Sequence, residues 1–270
     1  NLIFKNFKIS SQKPYLYFVA LLVIVIFVLI ISFNVSAKTL QIGWELWFPY
    51  QYRNSQQHLV GLDFEILNTI LAKTDYKVAY TELPWKRHLH YIKIGQLDVA
   101  MGASYNEERL RYAMFSQAYR QETVNLFVKK GTVKAIKLNS LSDLINSEYM
   151  IGIESGYYYG EEYQALMKKS EFREHISEVV DIEENVTLLM QGHIDGFLVD
   201  PATIKAFSKK YQMNDEFEQH TLSIYQSAIH FMFSKASVSP ETVQTIDNII
   251  TDLKASGELD TIIQKWQTMQ

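Results

Sequence analysis

The feature that most constrains the fold is a regular alternation of short apolar runs and amphipathic segments in the first part of the chain. Residues 39–44, 76–81 and 97–101 predict strands, and residues 61–71 and 85–94 predict helices. Three strands and two helices alternating within about 60 residues favour a parallel sheet with helices on its faces. We therefore expect an α/β fold.

Small and polar residues follow the third predicted strand. Gly102 lets a ligand approach the backbone, Ser104 supplies a hydroxyl, and Arg109 lies about one turn into the next helix. Ligands of open α/β sheets sit at the carboxyl ends of the strands, and a guanidinium beside free N–H groups can clamp a carboxylate. The alternative is a surface arginine paired with Glu107 or Glu108.

Aromatic side chains crowd the loop after the first strand. Exposed rings there are costly unless they line a pocket or pack down, so Phe48 is either core or site, and we favour Trp47 as a wall of the site. Trp85 and Arg87 lie at the start of the second helix, near the same strand ends. They are candidate pocket residues, although a packed tryptophan and a solvated arginine explain them equally well.

The α/β alternation starts again after a crossing strand at 124–128. Helices are predicted at 141–145 and 183–191, and strands at 149–153, 179–182, 196–199 and 225–234, the last crossing back. Asp200 follows the 196–199 strand and precedes a proline. It can hold a ligand cation, cap the next helix, or do both.

The N-terminus predicts export. Residues 1–14 carry three lysines and no acid, residues 15–33 are almost continuously apolar, and small residues precede Ala37. Cleavage after Ala37 is favoured, and an uncleaved membrane anchor is the alternative. Both place everything from Lys38 outside the cytoplasm, in the periplasm.

Composition excludes several classes of function. Without residues 1–37 the chain has 23 basic and 30 acidic residues, which speaks against nucleic acid as a partner. The chain has no cysteine, which rules out thiol chemistry and thiolate metal sites. His88 and His90 are two positions apart on a helix, a poor spacing for a metal pair. We therefore expect no metal and no cofactor.

Five motifs in order resemble the bacterial extracellular solute-binding proteins of family 3, the type that serves polar-amino-acid ABC transporters. The motifs are GLDFE from Gly61, Gly95-x-x-Asp98 followed by Glu108-Arg109, Phe115-Ser-x-x-Tyr119, GHIDGFLVD ending at Asp200, and LKxxGxxDxIxxKW ending at Trp266. The resemblance implies a two-lobed, type II periplasmic-binding-protein-like α/β fold, with two crossing hinge strands that let the lobes close on a small solute. The implied lobes are residues 38–120 plus 226–270, and residues 121–225.

The resemblance also implies roles for individual residues. Arg109 and Ser104 would hold a ligand α-carboxylate, Asp200 an α-ammonium, and Trp47 would wall off the side chain. One departure is Tyr157, in a Gly-Tyr-Tyr run where many relatives have Gly-Thr-Thr. A second is Trp44, where many relatives have an acid soon after the first strand; here the acid, Glu45, comes one place later.

The sequence therefore predicts a monomeric, non-enzymatic protein that captures a small zwitterion or carboxylate, with an ABC permease of the inner membrane as a possible partner. An amino acid is the favoured ligand, and the tyrosines leave an aromatic or amphipathic acid as the alternative. One alternative is a tethered sensory domain that reports to a membrane partner. The other is a dehydratase of cyclic acids on the same scaffold, with Glu45 or Asp63 as its general acid.

Overall fold

Residues 39–269 are described by a computed structural model. The strands are β1 (Thr39–Trp44), β2 (Tyr52–Arg53), β3 (Leu59–Val60), β4 (Lys77–Glu82), β5 (Val99–Ser104), β6 (Ala113–Phe115), β7 (Arg120–Lys129), β8 (Ile151–Glu154), β9 (Ile176–Val179), β10 (Gly196–Val199) and β11 (Phe217–Ser234). The α-helices are α1 (Leu62–Leu71), α2 (Trp85–Ile94), α3 (Glu107–Leu110), α4 (Glu161–Leu166), α5 (Ser170–Arg173), α6 (Ile182–Gln191), α7 (Pro201–Tyr211), α8 (Pro240–Ser256) and α9 (Glu258–Met269), with a 3-10 helix at Leu141–Asn146.

Nine strands form one sheet in the order β4-β1-β5-β11-β7-β10-β8-β9, and β6 pairs with β11. Strand β1 pairs in parallel with β4 and β5 on one side, and β8 pairs in parallel with β9 and β10 on the other. The long strands β7 and β11 run antiparallel between these two parallel groups. The predicted α/β fold with two crossing strands is confirmed.

The hydrophobic core is divided in the same way. One set of buried side chains comes from residues 40–119 and 229–266, and another from residues 124–207. We call the halves around these cores the first and the second lobe. We propose that the boundaries lie inside β7 and β11, near residues 120 and 226, where both strands pass from one core to the other.

Local capping explains where the helices begin and end. Helix α2 has the predicted bounds, and its C-cap Gly95 takes the left-handed conformation that favours glycine, with φ 76°. In the second lobe the predicted strand at 179–182 is wrong, since strand β9 already ends at Val179. The reason is Asp181, whose carboxylate accepts from the backbone N–H of Glu184 and so starts α6 at Ile182.

The predicted signal peptide or anchor, residues 1–37 with its apolar run at 15–33, lies outside the described residues. Between residues 39 and 269 no helix is both long and apolar enough to cross a membrane.

Candidate functional site

A narrow cleft lies between the two lobes. It is lined by Glu45, Trp47, Trp85, Gly102, Ser104, Arg109, Glu122, Val124, Glu154, Tyr157, Tyr158, Tyr159, Leu198, Val199 and Asp200. Residues of the first lobe come from the ends of β1 and β5 and from the starts of α2 and α3. Those of the second lobe come from the ends of β8 and β10, from the loop after β8 and from β7. The parallel strands of both lobes thus point their carboxyl ends at the cleft, as expected for α/β ligand sites.

Arg109 is a buried cation without an acidic partner. Its side chain is 4% exposed, and its guanidinium donates to the carbonyl oxygens of Ser104 (Nη1, 2.8 Å) and Gly156 (Nη2, 3.1 Å). Within residues 39–269 no ion pair joins it to Glu107 or Glu108, so it is not the surface arginine of the alternative interpretation. A guanidinium has five N–H donors, so donors remain for a ligand.

Asp200 is the N-cap of α7. Its Oδ1 accepts from the backbone N–H groups of Ala202 (3.0 Å) and Thr203 (3.1 Å) and from the hydroxyl of Tyr50 (2.9 Å), while the Thr203 hydroxyl bonds Oδ2. The capping role is therefore present, and Asp200 also lines the cleft. Burial raises the pKa of this carboxyl above its ordinary value. Its role toward a ligand ammonium stays a prediction.

Aromatic side chains fill the cleft between the lobes. The Tyr157 ring lies edge-on to Trp47 (5.8 Å between centroids) and to Trp85 (6.2 Å). The indole N–H of Trp47 donates to the Thr203 hydroxyl (3.0 Å) and that of Trp85 to the Gly156 carbonyl oxygen (3.1 Å). Both tryptophans thus belong to the first lobe and donate a hydrogen bond to the second.

Of three further residues considered from the sequence, one lines the cleft and two lie outside it. Gly102 lines the cleft with φ 75°, but the Trp47 ring already occupies the space beside it. Phe48 is buried outside the cleft. Arg87 is exposed and does not line the cleft, so its predicted place in the site is withdrawn. It lies two positions after Trp85, and residues two apart on a helix face different sides.

The sequence reasoning missed Arg120, Glu122 and Glu154, and it named Asp63 only as a possible general acid. Asp63 is fully buried and pairs with Arg120 through two hydrogen bonds, Nε to Oδ1 (2.7 Å) and Nη2 to Oδ2 (3.0 Å). Asp63 is therefore not a free acid. Glu122 and Glu154 line the cleft as well. A carboxylate directly after the apolar run Ile151–Ile153 was the available signal for Glu154.

Glu45 is a cleft acid with a strongly raised pKa. Its carboxylate accepts from the Tyr157 hydroxyl (2.6 Å) and from the backbone N–H of Trp85 (2.8 Å). Burial outweighs both hydrogen bonds and raises the pKa of Glu45 to about 7.

The cleft is closed in this structure. Its open volume, the space available to the centre of a water molecule, is about 30 Å³, room for roughly two waters. Direct hydrogen bonds from Trp47, Tyr50, Trp85 and Arg109 reach the second lobe, and one from Tyr157 reaches the first. A ligand the size of an amino acid therefore requires the lobes to separate and some of these bonds to be replaced.

The fold is that of the type II periplasmic binding proteins, with the cleft between lobes where these proteins close on a solute. The chain belongs to the bacterial extracellular solute-binding proteins, family 3, whose model matches residues 40–269.

Three similar proteins illustrate the range of this fold. A probable histidine-binding protein of Neisseria gonorrhoeae is 21% identical over 219 residues, covering 81% of this chain and 78% of the relative. An amino acid ABC transporter substrate-binding protein from Streptococcus pneumoniae, solved with L-arginine, is 22% identical with a TM-score of 0.71, covering 84% of this chain and 94% of that one. An ancestral amino acid-binding protein, described as a precursor of cyclohexadienyl dehydratase, is 19% identical with a TM-score of 0.69, covering 84% and 95%.

Proposed function

We propose that this protein is a non-enzymatic, extracytoplasmic receptor that binds an amino acid between its lobes for uptake by an ABC-type transporter. The observation that carries the proposal is Arg109, a buried guanidinium facing the cleft with unused donors and no acidic partner. The similar proteins from Neisseria and Streptococcus, named for histidine binding and solved with L-arginine, support an amino acid as the ligand.

In this proposal each lobe holds one end of the ligand. Arg109 and Ser104 of the first lobe bind the α-carboxylate, and Asp200 of the second lobe binds the α-ammonium. The hydrogen bond from Arg109 to the Gly156 carbonyl oxygen is the bond that the carboxylate replaces. Trp47 and Tyr157 then enclose the rest of the ligand.

The charges explain why a ligand favours closure. Buried Arg109 has only neutral carbonyl partners in the empty cleft, and an uncompensated buried charge is destabilising by several kcal/mol. A zwitterion supplies the counter-charges and so shifts the equilibrium toward the closed state.

The test is a thermal-shift and calorimetric screen of the full chain against the twenty amino acids. We expect at least one to bind, and Arg109→Met to abolish its binding. Arg87→Met is the matched control, because Arg87 is exposed on the adjacent helix outside the cleft, and it should bind normally.

Two results would contradict the proposal. If none of the twenty amino acids binds, an amino acid is the wrong ligand class. If Arg109→Met binds within about threefold of the unaltered chain, the assignment of the carboxylate to Arg109 is wrong.

One observation favours a second candidate, dehydration of a cyclic acid. Glu45 is a cleft carboxyl whose pKa of about 7 suits a general acid at neutral pH, and the ancestral relative is described as a precursor of cyclohexadienyl dehydratase. Incubation with a prephenate-like acid tests it: product that appears with the unaltered chain and not with Glu45→Gln would establish the enzyme. The tethered sensory domain and the monomeric state stay predictions.

A further inference from the structure

The lining of the cleft carries more negative than positive groups. Four acidic side chains, those of Glu45, Glu122, Glu154 and Asp200, line it together with one guanidinium, that of Arg109. A simple zwitterion brings one charge of each sign and leaves this excess of acids unchanged. A ligand with an additional positive charge would find acids here that can ionise to pair with it.

Glu154 is a buried acid of the cleft whose carboxyl group has no hydrogen-bond partner among the described residues. It is the last residue of β8 and is 6% exposed. The Tyr159 hydroxyl accepts from its backbone N–H (2.8 Å), but within the described part of the chain no hydrogen bond reaches its carboxylate. A buried carboxylate without partners is costly. Burial, reinforced by neighbouring Glu45, raises the pKa of Glu154 well above its ordinary value.

Glu45 brings a second carboxylate to the same end of the cleft from the other lobe. Both Glu45 and Glu154 also line the adjoining depression beside Pro84 and Asp181. Cleft closure therefore brings the two acids together, and a cation between them would relieve their repulsion.

The surrounding rings suit a cation as well. Tyr157, which donates to Glu45, lies between Trp47 and Trp85. Aromatic faces attract ammonium and guanidinium groups, and the attraction is strongest where water is excluded. An apolar or acidic side chain would leave the Glu154 carboxylate unpaired in the closed cleft.

We propose that the ligand is an amino acid with a cationic side chain, its carboxylate on Arg109 and its side-chain cation held by Glu154 and Glu45 among the three rings. This assignment rests on the proposed amino acid-binding function and adds the subsite that selects the side chain.

The experiment compares L-arginine with L-citrulline by calorimetry on the full chain, because citrulline keeps the length and shape of arginine and lacks its charge. L-lysine and L-norleucine form the same pair for an ammonium. We expect the charged member of a pair to bind about 30-fold or more tightly than the neutral one. Glu154→Gln should remove most of that preference and leave citrulline affinity within about threefold, which also shows that the variant folds.

Glu162→Gln is the matched control, since Glu162 is an exposed acid on α4, and it should keep the full preference. If citrulline and norleucine bind as tightly as arginine and lysine, the cationic subsite is wrong while amino acid binding stands. If the preference persists in Glu154→Gln, its assignment to Glu154 is wrong. If no amino acid binds, the subsite and the proposed function both fail.

Discussion

The ion pair between Asp63 and Arg120 gives the sharpest prediction about stability. The two side chains are 0% and 3% exposed, and two hydrogen bonds join them. Arg120 Nη1 has no hydrogen-bond partner among the described residues, and the guanidinium lies 3.8 Å from the centre of the Tyr50 ring. Asp63 is therefore the main compensation for the buried charge of Arg120.

Asp63→Asn keeps the shape of the side chain and removes its charge. Breaking a buried pair from one side costs about 3–5 kcal/mol, because the other charge stays buried and uncompensated. For a chain of this size each kcal/mol corresponds to about 2–4 °C, so the thermal midpoint should fall by about 6–20 °C.

Urea unfolding gives the free energy of unfolding, and an unchanged slope shows that the same surface is exposed in both proteins. The matched control is Glu258→Gln, which breaks the pair of Lys73 and Glu258, whose side chains are 47% and 46% exposed. An exposed pair of this kind contributes at most about 1 kcal/mol. The double variant Asp63→Leu with Arg120→Met should recover most of the loss, since it leaves no unpaired charge.

The reasoning is refuted if Asp63→Asn loses no more free energy of unfolding than Glu258→Gln. A double variant less stable than Asp63→Asn would show instead that packing of the Arg120 guanidinium on Tyr50 outweighs its charge.

Two further predictions concern the cleft. In Gly102→Ala the new Cβ would lie 2.4 Å from the Trp47 ring, on a backbone with φ 75°. We therefore expect a lower thermal midpoint and loss of amino acid binding. Normal binding in calorimetry would show that the Trp47 ring can move away from this position. Because burial raises the pKa of Glu45 from 4.5 to about 7, the folded protein holds a proton that the unfolded chain releases. The free energy of unfolding of the ligand-free protein should then fall as pH rises from about 4.5 to about 7. A plot of the thermal midpoint against pH should be flatter in this range for Glu45→Gln than for the unaltered chain. An equally steep plot for the variant would contradict this role of Glu45.

Features set by neighbouring residues were the ones that the sequence predicted well. Helix α2 has its predicted bounds because Pro84 and Gly95 mark its two ends within a dozen residues. The capping of α7 by Asp200 is equally local. The wrong strand at 179–182 shows the limit of this reasoning, because an apolar run alone does not tell the end of a strand from the start of a helix.

Features that depend on distant parts of the chain were not predictable. Asp63 and Arg120 are separated by 57 positions, and each has an ordinary local explanation, an acid in the first turn of a helix and a basic residue at a strand start. Glu154 meets Glu45 only because the lobes close on each other. Arg87 was proposed because it lies near Trp85 at the start of α2, but residues two apart on a helix face different sides.

In the proposed binding mode, selectivity depends on the groups that gain a new partner when the ligand enters. Entry of a ligand replaces hydrogen bonds between the lobes, such as those from Arg109 to Gly156 and from Tyr157 to Glu45, so these bonds are exchanged and yield little net free energy. Among the described residues, the groups that gain most in that binding mode are the guanidinium of Arg109, which has no counter-charge in the empty cleft, and the carboxyl of Glu154, which has no hydrogen-bond partner there and a raised pKa. One lies in the first lobe and the other in the second. A ligand that carries a carboxylate at one end and a cation at the other therefore stabilises the closed state twice, and a ligand that lacks either charge forms only one of these two pairs.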